Sequence, residues 1–167
     1  MKRLFVLRHA EAVPKDTEED VDRVLSARGR GQMERVARHL RDAGIRPDEA
    51  LVSPAARTRE TWELTRLGDV PARFDRRIYE ATPDDLLAVL RDAEADANSA
   101  ILVGHNPGLH ELVRQLVGSD RPASLRQLAD FPTACLASLD LGAESWRDVS
   151  WRGATLTALV TPGSLGA

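Results

Sequence analysis

The chain has 167 residues, 43% of them hydrophobic and 29% charged, with a net charge of −3. That length carries one hydrophobic core and predicts a single domain over residues 1–167, and the small net charge excludes a global field for nucleic acid or an anionic membrane. Cys135 is the lone cysteine and no apolar run approaches the roughly 20 residues of a membrane span, so neither a disulfide framework nor a membrane anchor is expected and the predicted location is the cytoplasm.

A first strand is predicted over residues 3–7. Its apolar run, Leu4 to Leu7, is too short for the core of a signal peptide. The acidic stretch 11–23, which contains "KDTEED", reads as a loop. A helix is predicted over 27–43, with Ala27, Val36, Ala37 and Leu40 at near-helical spacing, Ser26 as N-cap and Gly44 as the stop. "EALVS" gives a short strand ending at Val52, followed by a helix over 54–67 and a weak strand near 72–76. Residues 83–95 are helical, with Leu86, Leu87, Val89 and Leu90 on the apolar side. "SAILVGH" holds the clearest buried strand, 100–103, and another amphipathic helix covers 107–117. In the last third, "TACLASLDL" and "SWRDVSWRG" alternate like strands at a sheet edge, and "PGSLGA" over 162–167 reads as a loose tail. This alternation predicts an α/β fold with helices on both faces of the sheet.

Ser53–Pro54, Thr82–Pro83 and Asn106–Pro107 each pair an N-capping residue with proline at the first helical position. In open α/β sheets ligands collect beyond the carboxyl ends of the strands, where helix N-termini favour anions. The first strand delivers Arg8 and His9 to that edge, "SPAARTRET" adds Arg57, and "GHNPG" adds His105. Two arginines and two histidines suit a phosphoryl group: the arginines fork its oxygens and one histidine serves as nucleophile. A single histidine after a strand is more often a half-buried residue bonded to backbone, but two at such positions point to chemistry. His110, inside the last of these helices, reads as a surface or packing residue. No H-x-x-x-H, cysteine cluster or paired-Asp loop suggests a metal, and no P-loop or dinucleotide fingerprint suggests a nucleotide, so no cofactor is expected.

These residues resemble a known pattern. "LRHAEA" is similar to the R-H-G motif of the histidine phosphatase superfamily, and "LSARGRGQ", "LVSPAARTRET", "IYEATPDDL" and "LVGHNPGLHEL" follow in the order of its small SixA-type phosphohistidine phosphatase branch. The likeness spans roughly residues 2–120 and fades beyond them. It implies a three-layer α/β/α sandwich with a mostly parallel central sheet, as in phosphoglycerate mutase-like proteins. It implies His9 as a nucleophile that becomes phosphorylated, and Arg8, Arg57 and His105, with Asn106, as the phosphate-binding set. Glu80 is the positional candidate for the acid that protonates a leaving group; it reads equally as a carboxylate that pairs with an arginine or faces water. Ala10 departs from the family's glycine and requires a turn without positive φ.

The reaction so implied is metal-independent hydrolysis through a phosphohistidine enzyme, on a phosphorylated protein carrying phosphohistidine. Hydrolysis of small-molecule phosphoesters, a mutase, and a non-catalytic phosphate-binding module are the alternatives. Members of the superfamily that act on sugar phosphates tend to be longer, with insertions that cover the pocket. Here residues 11–23 are the one sizeable candidate for a rim.

Overall fold

Along the first strand, side chains alternate between two separate apolar layers. Leu4 and Val6 pack with Leu51, Ala100 and Leu102, while Phe5 and Leu7 pack with Ala50, Val52, Ile101 and Val103. A strand buried on both faces needs a helical layer on each side. The computed structural model, which describes residues 1–166, supplies both; Ala167, the last residue of the predicted tail, lies outside the described residues.

Six strands form one sheet in the order β3-β2-β4-β1-β5-β6: β1 (Arg3–Arg8), β2 (Glu49–Val52), β3 (Ala72–Phe74), β4 (Ser99–Gly104), β5 (Leu136–Asp140) and β6 (Thr155–Val160). The first four run parallel, and β5 and β6 add two antiparallel pairings. Helices α3 (Pro83–Arg91) and α4 (Gly108–Val117) cover one face through Leu86, Leu90, Leu109 and Leu112. Helices α1 (Ala27–Asp42) and α2 (Ala56–Leu64) cover the other through Met33, Val36, Leu40 and Trp62. Burial of each such leucine contributes about 1.5–3 kcal/mol. The predicted three-layer α/β/α arrangement is present.

The cap of α1 is as expected, with the Gly29 N–H donating to Ser26 Oγ at 3.0 Å and Gly44 beyond the end at φ +66°. Thr82 caps α3 in a capping box with Asp85.

The C-terminal third differs from expectation. "SWRDVSWRG" is not a strand: Trp146–Asp148 is a 3₁₀ turn that buries Trp146 and places its indole N–H 2.8 Å from the Ala97 carbonyl. The edge strand is β6, and β5 lies inside the sheet between β1 and β6. An additional helix, α5 (Pro122–Gln127), precedes β5. Pro162–Leu165 forms a short helix, α6, capped by Thr161, where a loose tail was predicted. Among the described residues, no helix is long and apolar enough to cross a membrane.

Candidate active site

The register of two strands builds the centre of the site. Arg8 of β1 lies opposite Gly104 of β4, so the next residues, His9 and His105, leave the sheet side by side. The His9 N–H donates to the Gly104 carbonyl at 3.0 Å, and the two rings stand 5.4 Å apart between centroids. On the far side of β4, the Ser53 N–H reaches the Val103 carbonyl, which places Ser53 beside His105. Both histidines are buried, at 8% and 9% exposure.

His9 Nδ1 lies 2.7 Å from the carbonyl of Ala10. A carbonyl only accepts, so Nδ1 carries the proton and Nε2 keeps its lone pair. Burial is the main cause that lowers the His9 pKa to about 4, and the Arg57, Arg8 and Arg23 charges push the same way against the opposing Ala10 bond. The imidazole is therefore neutral near pH 7. Ala10 takes an ordinary backbone conformation, being absent from the residues with positive φ, and its methyl is fully buried. Thr61 secures the turn: its Oγ1 accepts from the Ala10 N–H at 3.0 Å and donates to the Arg57 carbonyl at 2.7 Å.

His105 Nε2 lies 2.7 Å from Ser53 Oγ. Ser53 is fully buried, and its oxygen also accepts from the Ala55 N–H at 3.4 Å. One proton is shared between Ser53 Oγ and His105 Nε2 in this contact. A hydroxyl that donates to Nε2 leaves the proton of the neutral ring on Nδ1, a buried atom with no partner among the described residues. Burial, followed by the charge of Arg57, lowers the His105 pKa to about 3. The His105 ring is therefore neutral near pH 7. Nε of Arg8 and Oδ1 of Asn106 are likewise buried without a partner among the described residues.

Two of the three predicted Ser/Thr/Asn–Pro caps serve this site instead of a helix. α2 starts at Ala56 with Ala55 at the cap, and Ser53 is taken by His105. α4 starts at Gly108, and Asn106, which precedes Pro107 through a cis peptide, donates from Nδ2 to the Phe131 carbonyl at 2.8 Å. Arg8 Nη1 donates to the same carbonyl at 3.1 Å, so Phe131 holds both side chains in place.

Arg57, Tyr79, Glu80, His105, Asn106 and Gly108 line a cleft of about 280 Å³. A Cβ on Gly108 would stand 2.5 Å from the Ala81 carbonyl, so this glycine lets the Glu80–Ala81 segment close against the start of α4. Glu80 is exposed at the cleft and has φ +54°, a left-handed conformation that costs a non-glycine residue about 1–2 kcal/mol. His110 stands apart, bonded through Nε2 to the Leu128 carbonyl and stacked on Phe131, which is a packing role. Burial pushes the Cys135 thiol up to about 12, which removes it as a nucleophile near neutral pH.

Sequence reasoning missed the Asp20 contact. Arg57 donates from Nη1 to the Asp20 carbonyl at 2.8 Å and from Nη2 to its carboxylate at 3.1 Å. Tyr79 donates to the same carboxylate oxygen at 2.6 Å, and Arg23 holds the other oxygen at 2.9 Å. The Tyr79 bond, the Arg23 bond and the Arg57 charge keep the Asp20 carboxyl well below the usual carboxylate range.

Residues 4–86 match the family model described as histidine phosphatase superfamily, branch 1. An uncharacterized protein of Mycobacterium leprae is 30% identical over 86% of this chain and 89% of its own. An uncharacterized protein of Mycobacterium tuberculosis is 30% identical over 93% of this chain and 99% of its own. Among solved structures, a protein of Nakamurella multipartitia provisionally assigned as phosphohistidine phosphatase SixA aligns over 96% of both chains with TM-score 0.86 and 27% identity. A protein of Agrobacterium tumefaciens with the same provisional assignment aligns over 96% of this chain and 98% of its own with TM-score 0.82 and 29% identity. With the ordered motifs and the paired His9 and His105 at adjacent strand ends, these likenesses place the chain in the histidine phosphatase superfamily, among its SixA-type phosphatases.

Proposed function

We propose that this phosphatase transfers a phosphoryl group to His9, without a metal, and that its substrate is a phosphohistidine on a protein. One observation carries the reading. His9 keeps the Nε2 lone pair free by tying Nδ1–H to the Ala10 carbonyl, beside Arg8 Nε and His105 Nδ1, which are buried without a partner among the described residues.

In the first step the Nε2 lone pair forms a bond to phosphorus while the bond to the carrier breaks. The electron pair of that bond leaves with the carrier atom. An imidazole whose second ring nitrogen already carries a proton departs as a neutral ring, whereas an alkoxide needs a proton, which Glu80 would supply from the cleft. In the second step water attacks phosphorus, the P–Nε2 bond breaks, and phosphate leaves with His9 neutral again. Charge builds on the equatorial oxygens during both transfers, and Arg8, Arg57 and His105 Nδ1–H stabilise it, with the N-terminus of α4 adding partial positive charge. The likeness to SixA-type proteins and the modest cleft favour a protein-borne group over a small phosphoester. A cytoplasmic location accords with a lone, buried cysteine.

The test is brief exposure to a labelled phosphohistidine protein, followed by acid and alkali treatment. Acid-labile, alkali-stable label on His9 with continued release of phosphate is expected, insensitive to EDTA. His9→Ala should lose both label and turnover while keeping its thermal unfolding transition. Turnover by His9→Ala would overturn the reading, and label without release would make the chain a phosphate-binding module.

A further inference from the structure

Arg57, which the proposed reaction sets against the phosphoryl group, is already paired with a carboxylate. Asp20 comes from the most acidic segment of the chain, in which Asp16, Glu18, Glu19, Asp20 and Asp22 fall within seven residues with no basic residue among them. Its carboxylate oxygen rests 3.1 Å from Arg57 Nη2 and 2.6 Å from the Tyr79 hydroxyl, two side chains that line the cleft. Glu80 lies on that cleft too. A phosphoryl group held by Arg57 would carry its remaining substituent past two carboxylates.

Arg23 and Tyr79 hold Asp20 in place, so its charge keeps a fixed position against the cleft-lining Arg57 and Tyr79 side chains. Fixed like charge discriminates between partners more than it binds them. We propose that Asp20 is a specificity-determining residue that selects substrates by the charge of the phosphoryl carrier. Carriers that are neutral or cationic, an imidazole among them, are admitted; carriers bearing a carboxylate are turned away. This rests on the phosphatase reading of the same site and adds to it the class of carrier.

Two alkyl phosphoesters of similar size and opposite carrier charge isolate the effect: phosphoethanolamine, with an ammonium, and phosphoglycolate, with a carboxylate. Binding is measured by calorimetry on the His9→Ala protein, so that no turnover is required. The expected result is at least about tenfold tighter binding of phosphoethanolamine. Asp20→Asn keeps an oxygen for Arg57 and Tyr79 while removing the charge, and should shrink that preference about tenfold, mainly by tightening phosphoglycolate. Glu19→Gln removes the same charge from an exposed neighbour and should leave the preference unchanged. Equal affinities in the parent protein, an unaltered preference in Asp20→Asn, or an equal shift in Glu19→Gln each overturn the proposal. A phosphatase that fails to label His9 yet still sorts the two ligands would overturn the catalytic reading and leave the charge selection standing.

Discussion

Ser53 Oγ lies 2.7 Å from His105 Nε2, and both residues are buried at adjacent strand ends. A hydroxyl that donates to Nε2 leaves the His105 proton on Nδ1, the buried ring nitrogen with no partner among the described residues. Ser53→Ala should lower kcat by about tenfold or more with little change in KM, and lower stability by about 1–3 kcal/mol, since a buried ring nitrogen loses its partner. Ser53→Thr keeps the hydroxyl and should recover most of the activity. A loss of stability with kcat unchanged would reduce Ser53 to a structural role.

The histidine environments set a pH dependence whose sign can be worked out. His9 and His105 have folded values of about 4 and about 3, below an unfolded value of about 6.5. Between these limits the unfolded chain binds more protons, so stability rises with pH. Their contribution is complete above about pH 6.5 and is lost as pH falls through about 4 and then about 3. Carboxylates such as Asp20 lose theirs from about pH 5 downward, through the usual carboxylate range and below it, which leaves about pH 5–6.5 to the histidines. Urea unfolding of the parent and of a His9→Gln, His105→Gln double variant should show the slope in that window shrinking in the variant.

For the same reason, kcat/KM corrected for titration of the substrate should stay level from about pH 8 to about pH 5, because kcat/KM reports the free enzyme's groups. An acid limb centred near pH 6.5 would mean that one histidine is charged in the resting site.

Glu80 stands exposed at the cleft in a left-handed conformation. Glu80→Gln should reduce turnover of an alkyl phosphoester by about 100-fold while reducing phosphoramidate turnover by less than about threefold. Equal losses would remove Glu80 as the proton donor. Glu80→Gly should raise the unfolding free energy by about 1 kcal/mol by relieving the backbone, with the same selective loss of ester turnover.

Ala10 replaces the family's glycine without strain, because the turn has no positive φ, and its methyl packs in the layer formed by Leu7, Leu25 and Met33. Ala10→Gly should therefore lose about 1 kcal/mol of stability in urea unfolding and leave kcat within about twofold. A marked gain in activity would show that the methyl obstructs the site.

The sequence by itself determined which side chains stand at strand ends. Hydrophobic runs bounded by polar residues placed Arg8, His9 and His105 at the carboxyl edge, because a strand buried on both faces must end where its apolar run ends. The third of the chain after α4 was less legible. The stretch "SWRDVSWRG" is predicted as an edge strand, yet its buried Trp146 and Val149 stand three residues apart, the period of a 3₁₀ turn and not of a strand. What only the tertiary structure decided was who meets whom. The register of β1 on β4 sets His9 beside His105, and that of β2 on β4 turns Ser53 from a predicted cap into the partner of His105. Asp20 was legible only as one acid among five, since its bond to Arg57 closes across 37 residues of chain. Local pattern reports burial and caps. Pairing between distant segments depends on the sheet as a whole, and that is where the contact of His9 with His105, the Ser53 partner and the carboxylate at Arg57 were fixed.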